Sequence, residues 1–233
     1  MTQVTSQTSS LSGPASLVAV VVTYNRLDKL RVTLTRLLDS PAADLTAFVV
    51  FDKASDDGNG AWLDGVTDPR LLVHHTPQNM GGAGGFETGM RLAVDRMDPD
   101  WIVVMDDDAR PLPGAFAAFH ALPAHPWEAV AAGVYFPEGT VCGMNRPLHN
   151  PFHNWPLKPW RSFHVSPIQY AGPGQKVDAA TFVGLFVSRA AIARVGYPDG
   201  RLFVYGDDTL FTLALSQAGG VIGFAPSVRF EHD

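Results

Sequence analysis

The sequence predicts an α/β fold, a Rossmann-like and mostly parallel central sheet flanked by helices. Short Val-rich apolar runs recur through the N-terminal half, continuous as strands buried on both faces are. Amphipathic segments with leucines at helical spacing alternate with them. Polar and acidic residues (Thr23–Asn25, Asp52 and Asp106–Asp108) close the runs, at the carboxyl ends where open parallel sheets bind ligands.

Taken in order, "SLVAVVVTYN" (16–25) is the first strand. "RLDKLRVTLTRLLDS" (26–40) carries Leu27, Leu30, Leu34, Leu37 and Leu38 at helical spacing, and Pro41 stops it. "LTAFVVFDKAS" (45–55) is a second strand ending in Asp52, "NGAWLDGV" (59–66) a short helix and "RLLVHHT" (70–76) a third strand. "PQNMGGAGGFETGMRLAVDRM" (77–97) predicts a glycine-rich loop running into a helix, and "DWIVVMDDD" (100–108) the fourth strand. The second half is less regular. It predicts a helix over 113–126, a strand over 129–137 and a strand running into a helix over 178–196, capped by Gly196. A helix over 205–220 ends at a glycine pair, and a closing strand covers 221–233. Residues 138–176, rich in Pro, Gly, His and Trp, have no period and predict a long loop of functional or mobile character.

Composition narrows the partners. A chain of 233 residues suffices for one domain with a full core, and its Ser/Thr-rich first 16 residues predict a disordered tail. A net charge of −6 argues against a nucleic-acid partner, which needs clustered Lys and Arg. No signal-peptide pattern opens the chain, and no stretch approaches the roughly 20 apolar residues of a transmembrane segment. Cys142 is the only cysteine, so neither a disulfide framework nor a thiolate metal cluster is available. The expected setting is cytoplasmic, with peripheral attachment at the inner face of a membrane as the alternative.

Four stretches carry chemistry. Along a strand, Asp106 and Asp108 share one face and Asp107 takes the other, so the first two make a hard-oxygen site suited to Mg2+ or Mn2+. A solvated acidic turn is the competing reading. In "NMGGAGGF" (79–86), Gly81, Gly82, Gly84 and Gly85 bare the backbone before a helix for phosphate or sugar to approach, or simply make a flexible turn. Asp207 and Asp208 in "YGDDTLF" open a helix, as caps or with one as a general base. His232 in the terminal "FEHD" is a third metal ligand or an exposed histidine.

Together "VAVVVTYNR", "FDKASDDG", "QNMGGAGGF", "WIVVMDDDARP", "YGDDTLF" and "FEHD" resemble, in this order, family 2 glycosyltransferases of the GT-A fold, the nucleotide-diphospho-sugar transferase fold. The "GGAGGF" and "DDDA" forms are most similar to the galactofuranosyltransferase and rhamnosyltransferase branch. The resemblance spans residues 17–233 and implies one domain, with a nucleotide-sugar-binding half (17–110) and an acceptor-binding half (111–233). By it, Thr23, Tyr24, Asn25 and Arg26 lie along the nucleotide, and Asp52 accepts a hydrogen bond from the base, most simply a uracil N–H. Asn79, Gly81, Gly82, Ala83 and Gly84 line the nucleotide sugar, with Asp106 and Asp107 beside it. Asp106 and Asp108 hold a divalent cation, Mn2+ or Mg2+, that bridges the diphosphate, with His232 as a further ligand. Asp208 is the general base, and Asp207 supports it or binds the acceptor.

What the resemblance implies is a metal-dependent transferase of polysaccharide or cell-wall synthesis. It would move a sugar, galactofuranose or rhamnose first, from a uridine or thymidine diphosphate donor to a glycan or lipid-linked acceptor. One base and no covalent nucleophile imply inversion. Two departures stand out: Lys53 replaces the Asn that commonly follows Asp52, and the chain stops one residue after His232, where relatives continue into helices. Trp155, Trp160 and Tyr170 stack on a sugar ring or anchor the loop, whereas His149, His153 and His164 match no zinc spacing. Two rival readings remain: a sugar nucleotidyltransferase, disfavoured by the lack of glycine after the first strand, and a nucleotide-sugar-binding protein without turnover.

Overall fold

The computed structural model describes residues 15–149 and 163–233. The strands are β1 (Leu17–Thr23), β2 (Ala47–Asp52), β3 (Leu71–His75), β4 (Trp101–Asp106), β5 (Ala109–Pro111), β6 (Ala129–Tyr135), β7 (Gln175–Val177), β8 (Leu185–Ser188) and β9 (Ile222–His232). The helices are α1 (Leu27–Leu38), α2 (Asn59–Asp64), α3 (Gly81–Met97), α4 (Ala115–His120), α5 (Arg189–Val195) and α6 (Asp207–Gln217). The strands form one sheet in the order β3-β2-β1-β4-β8-β6-β9-β5, with β7 on β9. Pairing is parallel through β3, β2, β1 and β4. β8 enters antiparallel to both β4 and β6, so the sheet is mixed beyond its first four strands.

Every residue of β1 and β2 is buried, as expected of apolar runs covered on both faces. Alternate β1 residues serve opposite layers. Val18, Val20 and Val22 pack with Phe86 and Met90 of α3 and Phe211 of α6, whereas Leu17, Ala19 and Val21 pack with Leu30, Leu34 and Leu37 of α1 and Phe116 of α4. Burying each such large side chain contributes about 1.5–3 kcal/mol. Phe119 stacks on Phe186 with centroids 4.1 Å apart, and Phe230 meets Phe186 edge-on, tying α4, β8 and β9 together.

Several expectations need correcting. The glycine run is no loop: α3 begins at Gly81 and the run forms its first turns. Its glycines are there for contact, since a Cβ on Gly85 would lie 2.5 Å from Val22 Cγ1 and one on Gly89 2.7 Å from Val20 Cγ1. Absence of side chains lets α3 lie directly on β1. β4 ends at Asp106, a turn takes Asp107 and Asp108, and the short β5 follows, unforeseen. Within 138–176 the described residues include 3-10 turns over Gly143–Asn145 and Pro167–Ala171 and the strand β7. Tyr170 is buried against Tyr135 and Phe224, so it serves the core and not a sugar. Ser16 does not belong to a tail, because its N–H and hydroxyl both donate to Asp100 Oδ2, at 2.8 and 2.9 Å. Residues 1–14 of the expected tail, together with Trp155, Trp160 and His153, lie outside the described residues.

Candidate functional site

The acidic tip of β4 faces a cleft of about 320 Å3 lined by Gly82, Asp106, Asn145, Asp207, Asp208 and His232, among others. Three separate segments deliver the ionisable groups among them. β4 carries Asp106 out at its carboxyl end. Gly206, in the left-handed region at φ 86°, turns the chain into α6, whose first turn holds Asp207 and Asp208 where the helix dipole favours negative charge. β9 pairs with β5 so that His232 lies opposite Ala109, immediately past the acidic triplet. His232 Nε2 thereby comes 3.3 Å from Asp108 Oδ1.

Electrostatics here are strained. Loss of hydration, followed by repulsion from Asp108 and Asp107, pushes the Asp106 carboxyl up to about 7. Asp107 is also raised, first by burial. Asp108 is buried too, but the His232 hydrogen bond and charge together with Arg26 hold it below the usual carboxylate range. Its hydrogen bond to Asp108 holds His232 above the ordinary imidazole value, against the effect of burial. Burial likewise lifts Asp207, aided by Asp208. Lys53, half-buried and lowered by lost hydration, lies in the field of Asp106, Asp107 and Asp207, with its ammonium 5.8 Å from the centre of the Tyr24 ring.

The expected metal set is brought into one neighbourhood but not assembled. Among the described residues, no three His, Cys, Asp or Glu groups are gathered closely enough to hold an ion as they stand. The Arg26 guanidinium bonds Asp108 and lies 3.6 Å from Asp107, so an organic cation occupies the anionic side of the cluster. The donor types nevertheless suit a divalent ion: two carboxylates and an imidazole, with Asp106 accepting no side-chain hydrogen bond among the described residues. The strand-alternation argument fails at Asp108, which lies on a turn, yet Asp106 and Asp108 both feel His232.

Other expected contacts are differently employed. Thr23 is fully buried, and its hydroxyl donates to Asp107 Oδ2 at 2.8 Å while accepting from Asn59 Nδ2 at 3.1 Å. Asp107 also accepts the Tyr24 N–H at 3.3 Å. The pair ties β1 to the β4 turn and neither side chain is open to a nucleotide. Asn25 accepts the Asp56 N–H at 2.8 Å and is a loop staple, whereas Tyr24 and Arg26 are exposed beside it. Asp52 is 2% exposed, with Oδ1 accepting from Ser55 N–H at 3.1 Å and Oδ2 2.9 Å from His75 Nδ1; a base contact would have to be made beside His75. Asn79, just before the N-cap Met80, accepts the Gly81 N–H at 2.8 Å.

Within the run Gly81, Gly82, Gly84 and Gly85, only Gly82 faces open space. Gly81, at φ 73°, lies under the Phe203 carbonyl, which accepts the N–H of buried Ala83 at 3.2 Å, and Gly84 packs on Met80. Glu87 accepts the Gly200 N–H at 3.0 Å. The start of α3 thus clamps the loop that leads into Asp207. That loop is strained, since Phe203 (φ 62°) and Tyr205 (φ 71°) are both left-handed non-glycine residues. Asn145, His75 and Thr181 were not foreseen as site residues. Asn145 lies where the sequence has no period, Thr181 falls inside an apolar stretch that reads as an ordinary strand, and His75 ends another.

Comparison with known proteins bears on these groups. A family model described as glycosyl transferase family 2 matches residues 18–190. The galactofuranosyltransferase GlfT1 of Mycolicibacterium smegmatis is 27% identical over 222 residues, covering 92% of this chain and 70% of that protein. The N-acetylglucosaminyl-diphospho-decaprenol L-rhamnosyltransferase of Mycobacterium tuberculosis is 27% identical over 241 residues, covering 93% and 75%. Among solved structures, mannosyltransferase PcManGT from Pyrobaculum calidifontis, in complex with GDP-Man and Mn2+, aligns with a TM-score of 0.64 at 19% identity. GalNAc-T7 with UDP, GalNAc and Mn2+ aligns at 0.70 and 14%. Each alignment covers 94% of this chain; the chain spans about half of those structures, 56% of the first and 44% of the second.

Proposed function

Because the chain belongs to glycosyl transferase family 2, in its galactofuranosyltransferase and rhamnosyltransferase branch and with the GT-A fold, we propose that it is an inverting, metal-dependent glycosyltransferase. The donor is a uridine or thymidine diphosphate sugar, carrying galactofuranose or rhamnose, and the acceptor a glycan or lipid-linked hydroxyl. The observation that carries this reading is the convergence of Asp106, Asp207, Asp208 and His232 on one cleft.

Asp106, Asp108 and His232 would hold Mn2+ or Mg2+. When bound, such an ion neutralises charge on a departing nucleoside diphosphate. Arg26, with 55% of its side chain exposed, is free to leave Asp108 for the phosphates. Lys53 adds positive charge in the field of Asp106, Asp107 and Asp207. Asp208 takes the proton of the acceptor hydroxyl, a role typically worth about 10²–10⁴-fold in rate. Asp207, buried beside it, orients the acceptor. Gly82 leaves room for the sugar next to Asp106.

The test is incubation with UDP-galactofuranose or dTDP-rhamnose and Mn2+, across a panel of glycan and polyprenyl-linked acceptors, following nucleoside diphosphate release and the anomeric configuration of the product. Release with an inverted product is expected. Pyrophosphate release from a nucleoside triphosphate and a sugar phosphate would instead identify a nucleotidyltransferase. Donor binding without hydrolysis or transfer would identify a binding protein.

A further inference from the structure

We propose that Asn145 is a positioning residue that fixes which nitrogen of His232 presents its lone pair to the cation. The inference rests on the reading of Asp106, Asp108 and His232 as the ion-binding set. Asn145 is 6% exposed, at the end of the 3-10 turn over Gly143–Asn145. Its Oδ1 lies 2.8 Å from His232 Nδ1. The same oxygen receives the Cys142 thiol at 3.0 Å, while Nδ2 donates to Thr181 Oγ1 at 3.0 Å. Two donors therefore converge on the amide oxygen, and the amide nitrogen is engaged elsewhere.

An amide oxygen only accepts, so the ring nitrogen facing it carries the hydrogen. In the metal-free protein Nε2, the atom directed at Asp108, shares its hydrogen with that carboxylate; because Asn145 retains the hydrogen on Nδ1, the hydrogen displaced when a cation binds is the one on Nε2, and the lone pair it leaves faces the ion. A cation needs that lone pair; with the other tautomer the ring would present a hydrogen instead. The turn that holds Asn145 is itself anchored, because the Cys142 N–H donates to Val134 O of β6 at 3.0 Å and the Asn145 N–H donates to Cys142 O at 3.3 Å. The central sheet thus sets the orientation of the imidazole through a single amide. Partners of this kind typically change metal affinity by about 10–100-fold when removed.

The experiment titrates Mn2+ into the full chain in the presence of UDP, reading free Mn2+ by electron paramagnetic resonance, for wild type, Asn145→Ala, Asn145→Asp and His232→Ala. Expected are a loss of about 10–100-fold in Mn2+ affinity for Asn145→Ala and retention by Asn145→Asp, which keeps the acceptor oxygen. If His232→Ala weakens Mn2+ binding and Asn145→Ala does not, or if Asn145→Asp falls as far as Asn145→Ala, the positioning role is overturned. Unchanged affinity in His232→Ala overturns the metal reading itself and the inference with it. A second readout does not depend on the substitutions: 15N spectra of histidine-labelled wild type with diamagnetic Mg2+ and UDP are expected to show a pyrrole-type Nδ1 for His232, with Nε2 without its hydrogen. The reverse assignment refutes the proposal even if Asn145→Ala does not fold.

Discussion

Substituting Gly81 by Ala perturbs the seat on which the loop before α6 rests. Gly81 has φ 73°, and a Cβ there would sit 2.6 Å from the Phe203 carbonyl carbon and 2.8 Å from its Cα, backbone atoms that cannot swing aside. A left-handed conformation costs a non-glycine residue about 1–2 kcal/mol. To clear the methyl, the Phe203 carbonyl must leave the Ala83 N–H, which loses a further 0.5–1.5 kcal/mol or roughly that. The sum, about 1.5–3.5 kcal/mol, corresponds to a fall in Tm of roughly 3–14 °C for a chain of this size. The displaced loop leads into Asp207 and Asp208, so donor turnover falls with stability. Gly82→Ala is the matched control: nothing lies within 4 Å of its added Cβ, and its stability holds or rises by up to about 1 kcal/mol through helix propensity. Differential scanning calorimetry of both variants, with a coupled assay of nucleoside diphosphate release, checks the reasoning. A Gly81→Ala protein with wild-type Tm and turnover would refute it.

Asp208→Asn is expected to bind donor normally and to lose about 10²–10⁴-fold in transfer rate; a variant with full transfer activity removes Asp208 from the base role. Asp106→Ala and Asp108→Ala are expected to abolish Mn2+-dependent donor binding in calorimetry, and unchanged binding would dismiss the metal assignment. Arg70 donates to Ser40 O at 2.7 Å and Leu38 O at 2.9 Å while paired with Asp68. Arg70→Ala therefore costs about 2–3 kcal/mol in urea unfolding, and a loss under about 0.5 kcal/mol contradicts that. Burial opposes a charge on His75, but Asp52 and Asp64 outweigh it and hold its pKa above the usual value. The resulting stabilisation is full below about pH 6.5 and is lost as pH rises through the folded value. The difference in urea midpoint between wild type and His75→Gln should accordingly shrink on going from pH 6 to about 8.5, and a constant difference disproves it.

β1 and β2 were legible because doubly covered parallel strands must be continuously apolar, as "LVAVVVT" and "AFVVFD" are. β5 was not, since three residues with a proline carry no period, and the insertion of β8 against the parallel direction is a tertiary outcome. At the site, the acids were legible by their position at strand and helix ends, whereas their division of labour was not. Strand alternation separates Asp106, facing the cleft, from Asp107, buried under Thr23, but nothing in "DDD" shows that the strand ends at Asp106 and leaves Asp108 on a turn. The glycine run suggested ligand approach where Gly85 and Gly89 serve contact with Val22 and Val20. Asn145 was invisible because its importance comes from His232, a residue the fold brings across 87 positions of sequence.

The pairing of β5 with β9 also bears on how the molecule folds. Ala109 meets His232 and Arg110 reaches Glu231 over a separation of 121 residues. Closing a segment of that length is entropically late, after local helices and hairpins have formed. An intermediate with β1 to β4 consolidated would already display its acids but lack the imidazole, so nucleotide-sugar affinity should emerge as one of the final events of refolding.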